Sequence, residues 1–162
     1  MQSNFLLISS ILLLFAIPGF TITIQLSPPV GWQVEKNMLG AEIAVYPSLD
    51  RKEKMTSLLV FKYPMKDMSE SKANQILEQE IKKMSAQPGF AALQGGSFNT
   101  INRKGVFSSF KNYEDGNIFQ HFALILPDKN DYYFIYFSSP LSVYEMQFKQ
   151  IEKTLKNIKI NP

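Results

Sequence analysis

The chain has no cysteine and a single histidine, His121. The first absence excludes disulfides, thiolate metal sites, cysteine nucleophiles and a lipidated N-terminal cysteine. The second leaves His121 without partner imidazoles or thiolates, so no metal and no cofactor is expected. His121 lies in a strand-like run between Gln120 and Phe122. A lone histidine in that setting reads as a hydrogen-bonded structural residue rather than a catalytic one. There is no nucleophile elbow, no Walker loop and no dinucleotide fingerprint. Gly95-Gly96-Ser97 reads as a loop before a strand, whereas a phosphate cradle opens a helix. The close acids outside helices, Glu114-Asp115 and Asp128/Asp131, fall on turns, where Asp serves the backbone. Asp128-x-Asn130 begins like a calcium loop but lacks its glycine and its distant bidentate acid. No catalytic, cofactor-binding or metal residue is therefore assigned, and the expected class is not an enzyme.

One-sided charge is also missing. Fifteen Lys and two Arg give a net charge of +3, and they are interleaved with acids. The densest cluster, Arg51-Lys52-Glu53-Lys54, carries its own acid. A nucleic-acid footprint needs a basic stripe on one side, so nucleic acid is not an expected partner.

Long apolar runs are absent too. Residues 5–17 (FLLISSILLLFAI) end at Pro18-Gly19. That length falls short of the roughly 18 to 20 apolar residues a membrane span needs, and it fits the core of a signal peptide. The segment before it (Gln2, Ser3, Asn4) has only the α-amino group as positive charge, and the small-x-small cleavage pattern is poor. An uncleaved anchor from Phe5 towards Leu26 is the alternative, interrupted by Pro18, Gly19, Thr21, Thr23 and Gln25. The reading is a removable signal over residues 1–19 and one domain over residues 20–162. It implies a periplasmic or secreted protein with no stable membrane insertion after signal removal.

Apolar residues make up 45% and charged residues 19% of the 162, which excludes a disordered chain. Residues 20–25 alternate as a strand does, followed by Ser27-Pro28-Pro29. Further strands are read at 31–35, 41–46 and 56–63, the last stopped by Pro64. Residues 67–84 change to helical period, with Ala73, Ile76, Leu77, Ile81 and Met84 on one face and Asp67 as N-cap reaching Glu70. Residues 90–96 read as a loop, 97–102 as a strand turning at Arg103-Lys104-Gly105. Three strands follow at 106–113, 117–126 and 132–138, joined by Glu114-Asp115-Gly116 and by residues 127–131. After Pro140 comes the best-written element. Ser142 with Glu145 spells a capping box, and Leu141 with Met146 a staple. Tyr144, Phe148, Ile151, Leu155 and Ile158 form one apolar stripe, with Lys149, Lys153, Lys156 and Lys159 on the wet side.

This order predicts an α+β domain: a two-layer structure with a twisted, mostly antiparallel sheet and both helices, one mid-chain and one C-terminal, packed on one face. The strand Tyr132-Tyr133-Phe134-Ile135-Tyr136-Phe137 is apolar on both sides. Alternation puts Tyr132, Phe134 and Tyr136 on one face and Tyr133, Ile135 and Phe137 on the other. Residues 117–126 are likewise two-sided. Two readings of the face without helices follow: burial by the chain itself, or an aromatic groove for a partner.

Element order and local motifs resemble the PsbP-like fold family, nearest its bacterial DcrB-like branch. The motifs are Pro29-Val30-Gly31-Trp32 in the place of that family's Pro-x-Gly-Trp turn, the strand-helix unit 58–84, the Gly105 turn opening a three-strand meander, and Ser139-Pro140 before the closing helix. The likeness runs from about residue 20 to residue 160. It implies a non-enzymatic module. Plant and cyanobacterial members assist photosystem assembly or manganese and calcium retention. Bacterial members include envelope proteins and Eag-type secretion chaperones that shelter apolar segments on the sheet, and a Ran-binding nuclear protein shares the fold. No functional residue carries across, and the lipidated cysteine of the branch's lipoproteins is absent. The reading is an exported binding or accessory protein of the bacterial envelope or secretome, with a protein as partner. One alternative is a chaperone sheltering apolar segments. A second is a hydrolase with an unrecognised site.

Overall fold

The computed structural model describes residues 24–38, 40–48 and 55–161. The expected signal over residues 1–19, residues 20–23 of the expected first strand and the charged cluster at 51–54 lie outside the described residues. The elements are β1 (Ile24–Gln25), β2 (Trp32–Met38), β3 (Ala41–Pro47), β4 (Ser57–Pro64), α1 (Glu70–Met84), β5 (Ala91–Asn99), β6 (Lys104–Glu114), β7 (Asn117–Pro127), β8 (Asp131–Pro140), α2 (Leu141–Lys156) and β9 (Lys159–Ile160). Seven strands form one antiparallel sheet in the order β2-β3-β4-β8-β7-β6-β5, and β1 pairs with β9 in a second, two-stranded sheet. The fold is α+β, as expected.

The layering differs from the expectation. The two helices do not share a face. α2 packs with Phe122, Leu124, Leu126, Tyr133, Ile135 and Phe137. α1 packs with Val106, Phe110, Ala123 and Ile125, and with Tyr132, Phe134 and Tyr136 at its margin. These are alternate residues of the same strands, so the helices lie on opposite sides and make three layers. The cause is the two-sided apolar writing of β7 and β8. Each row needs a cover, and a helix supplies one for each.

Turn chemistry sets the register. Asp115 and Gly116, at φ 44° and 83°, form the two-residue turn of the β6–β7 hairpin, which places Glu114 opposite Asn117. Pro29-Val30-Gly31-Trp32 is a turn closed by the Trp32 amide donating to the Pro29 carbonyl at 3.1 Å, with Gly31 at φ 82°. Trp32 then donates its indole N–H to Gln150 Oε1 of α2 at 3.1 Å, and Thr154 donates its hydroxyl to the Ser27 carbonyl at 2.8 Å. The connection from β1 to β2 is thereby strapped to α2. Gly105 lies within β6 rather than in the turn before it. A Cβ there would run into the Ile125 carbonyl and sit 2.6 Å from Leu126 Cδ2, so glycine is what lets β6 approach β7 at its start.

Three local expectations are corrected. Residues 90–96 are not a loop, since β5 begins at Ala91 and runs through Gly95-Gly96 paired to β6. Asp67 is not the α1 cap. It sits in a turn at φ 53°, and Ser69 Oγ accepts from the Lys72 amide at 3.2 Å, while Glu70 pairs with Lys104 at 2.9 Å. The Ser142–Glu145 box does not form. Pro140 takes the cap position without a side-chain bond, so helix φ/ψ begins at Leu141, and both Leu141 and Met146 are exposed. The fixed φ of proline sets the helix entry instead.

Candidate functional site

On the α2 face the central aromatic residues are sealed and Phe98, Phe107 and Phe148 around them are half-buried. Tyr133, Ile135 and Phe137 have no exposed surface, and Phe98, Phe107, Phe122, Phe148, Tyr144 and Phe137 form a chain of ring contacts beneath the helix. The α1 face is different. α1 rests on β6 and β7. The register places Phe61 opposite Phe134 and Tyr63 opposite Tyr132, on the same side as α1 but beyond its reach. The rings meet across the strands, Tyr63 on Tyr132 at 5.2 Å and Phe61 on Phe134 at 6.2 Å, and along them, Phe61 on Tyr63 at 6.3 Å and Phe134 against Tyr136 at 6.0 Å. Tyr63 is 42% exposed, and Phe61, Tyr132 and Phe134 are half-buried.

Between these rings and α1 runs a groove of ≈ 270 Å³ lined by Tyr63, Ile76, Glu80, Lys83, Tyr132 and Phe134. Its floor is aromatic and its rim is the Glu80–Lys83 ion pair. Burial first, then the neighbouring Tyr63 and Glu80, raises the Tyr132 phenol, so it stays a neutral hydrogen-bond donor. Further along the sheet Glu42 has its carboxyl raised by burial, partly offset by Lys62, which bonds Asp131 at 3.1 Å.

The expected helix-free face does not occur, because each side of the sheet carries a helix; the partly open rings lie instead on the Tyr132, Phe134 and Tyr136 row, at the margin of α1. Phe61 and Tyr63 extend it. Sequence reading placed them in an unremarked apolar strand, because nothing local says that β4 pairs with β8.

His121 lies at the covered end of the same aromatic row, 1% exposed. Nε2–H donates to Asn112 Oδ1 at 2.7 Å, and Tyr136 Oη lies 2.7 Å from Nδ1, donating to it when the ring is neutral, so both nitrogens are engaged. The ring stacks on Phe110 at 4.7 Å and on Tyr136 at 5.4 Å. Burial lowers its pKa to about 4. Asn112 passes the network on to Gln87 and to Glu114, the latter at 2.8 Å. No group of three or more His, Cys, Asp or Glu residues with metal-holding geometry occurs among the described residues. No helix among them is long and apolar enough to cross a membrane.

Searches against family models and against curated proteins return no match. Solved structures do match. LpqN of Mycobacterium tuberculosis, described as involved in cell envelope biogenesis, superposes at TM-score 0.69 with 10% identity, covering 86% of this chain and 83% of its own. The cyanobacterial PsbP (CyanoP) of Synechocystis sp. PCC 6803 superposes at 0.58 with 8% identity, covering 91% and 98%. Protein PA94 of Pseudomonas aeruginosa superposes at 0.59 with 9% identity, covering 85% of each chain. At such identities the likeness is one of fold alone. The chain has the PsbP-like fold.

Proposed function

We propose that this chain is an exported accessory protein of the cell envelope that works by binding another protein on the aromatic face of β4 and β8. The observation that carries the reading is that α1 stops short of this face. Phe61 and Tyr63 of β4 and their cross-strand partners Phe134 and Tyr132 of β8 form a two-by-two patch of rings, partly open to solvent, beside an ion-paired rim. Soluble domains do not ordinarily leave such rings uncovered, and rigid aromatic rings with few rotatable bonds suit contact surfaces. The envelope assignment draws on the reading of residues 1–19 as a signal and on the fold shared with LpqN, which is described as acting in envelope biogenesis. His121 is buried, with both ring nitrogens bonded within the fold, so it is closed to a substrate, which supports a non-enzymatic role.

The chaperone reading uses the same face and differs in its client. The groove of ≈ 270 Å³ is wide enough for a few side chains, which favours a short apolar segment over a whole helix as its occupant.

A photo-crosslinking amino acid at position 63, expressed in native cells, tests the face. An adduct of one discrete mass is expected from position 63 and none from position 153, on the opposite side of the molecule. Tyr63→Glu combined with a crosslinker at position 132 should lose that adduct while the thermal midpoint stays unchanged. The same adducts from positions 63 and 153, or none from either, would refute the assignment.

A further inference from the structure

β5 is an outer strand. β6 lies on one side of it, and among the described residues no strand pairs with its other edge. The unpaired N–H and C=O groups of such an edge are a template for another strand, and folded proteins usually blunt it with charge, proline or a bulge. The opposite outer strand, β2, follows that rule, with Glu35 and Lys36 among its exposed residues. β5 (AALQGGSFN) has no charged residue and no proline. Its bulge falls between Ala92 and Gln94, so it blunts only the start. From Gln94 to Asn99 the pairing with β6 is continuous.

A second feature lies beside this stretch. α1 covers β6 and β7 but not β5, which leaves a groove of ≈ 490 Å³ whose lining includes Leu77, Glu78, Ile81 and Lys82 of the helix and Gly95 and Ser108 of the sheet. Gly95 pairs with Ser108 and Ser97 with Val106, so both belong to the α1 face. A side chain at Gly95 itself is cramped, because its Cβ would lie 3.1 Å from the Phe107 carbonyl oxygen. The groove is therefore not filled from within β5. A residue opposite Gly95 on an added strand would point the same way and drop its side chain into it.

We propose that Gln94–Asn99 accepts an extended segment of another polypeptide as an additional strand, with a large apolar side chain opposite Gly95. A second copy of this chain fits less well. Pairing β5 with itself about its centre sets Gly95-Gly96 against the same glycines and leaves the groove empty. The Glu78 and Lys82 on the rim offer both signs of charge, so the recognition is by backbone and by the apolar side chain, as in strand addition generally.

The experiment uses the full chain and capped nine-residue peptides of alternating Thr and Val whose central residue is Phe or Ala. A third probe is the Phe peptide N-methylated at its five central residues. Amide hydrogen exchange and fluorescence titration are the readouts. The Phe peptide should slow exchange at outward-facing amides within residues 94–99. It should bind about tenfold tighter than the Ala peptide, since a buried aromatic ring contributes far more apolar area. The methylated peptide should not bind. Gln94→Lys with Ser97→Lys, both at exposed positions, should weaken the Phe peptide about tenfold with the thermal midpoint unchanged. No binding, equal binding of the methylated peptide, or protection confined to β2 or to β4 and β8 would overturn the proposal. So would outward amides of residues 94–99 that are already protected in the free chain, which would mean that a second copy or the chain's own residues occupy the edge. Crosslinking at position 63 reads the other flank of α1, so either proposal can fail without the other.

Discussion

His121 shows how one buried side chain ties stability to pH. Its ring is stacked on Phe110 and Tyr136 and bonded at both nitrogens, and burial holds its pKa at about 4 against an ordinary 6.5. As pH falls, the unfolded chain takes up the proton first. The folded state then loses ground between pH 6.5 and about 4, and the contribution is whole above 6.5. The full shift corresponds to about 3 kcal/mol, an upper figure because Glu114 Oε1 lies 4.0 Å from Nε2 and would steady a charged ring. His121→Gln should have a flatter dependence of unfolding free energy on pH across this window, measured by urea denaturation. Parallel curves for the two proteins would show that another group sets the acid limb. The same substitution should leave the crosslink at position 63 intact, because His121 sits at the covered end of the aromatic row.

Of the two helices, α2 carries the deeper packing. Its Ile151 and Leu155 have no exposed surface, Tyr144 has 3%, and Ile158, just past its end, is also fully buried. Leu155→Ala should cost about 2–5 kcal/mol, as buried large-to-small changes do. Lys153→Ala, on the wet side, should stay within about 0.5 kcal/mol. Equal denaturation midpoints would mean the helix is turned the other way. That stripe was legible because five apolar residues recur at helical spacing, and periodicity reports which side is buried whatever the partner. Caps were less legible. Ser142 and Glu145 spell a box, but Pro140, two residues earlier, already fixes the backbone at the helix entry. β5 was hidden for a related reason. Gly95-Gly96 reads as a loop by propensity, and the pairing with β6 that holds it extended is a tertiary effect. The candidate face was half legible. Alternation gave the row Tyr132, Phe134, Tyr136, yet Phe61 and Tyr63 join it only through the pairing of β4 with β8, which spans α1 and the β5–β7 strands.

The whole molecule is three layers whose two sides are unequally closed. The α2 side is sealed further by the strap from Ser27 to Trp32 and by the β1–β9 pair. Ile24 is 1% exposed, lies in register with Ile160, and belongs to the core under α2. Asn102 reinforces the pair, donating to the Ile160 carbonyl at 2.7 Å and accepting from its amide at 3.1 Å. The domain therefore needs its chain from Ile24 onward, which bounds where a signal can be removed. Under the proposed cleavage on export, the cut leaves Ile24 in place, and the apolar run ends at Ile17. Intact-mass measurement of the native protein should give an N-terminus between Ala16 and Ile24. A chain beginning at Ser27 should have a lower thermal midpoint, because Ile160 loses its partner strand and the core loses Ile24. Recovery of the native protein with Met1 retained in a membrane fraction would refute cleavage. An unchanged midpoint in the chain that begins at Ser27 would show that the β1–β9 pair does not set the boundary.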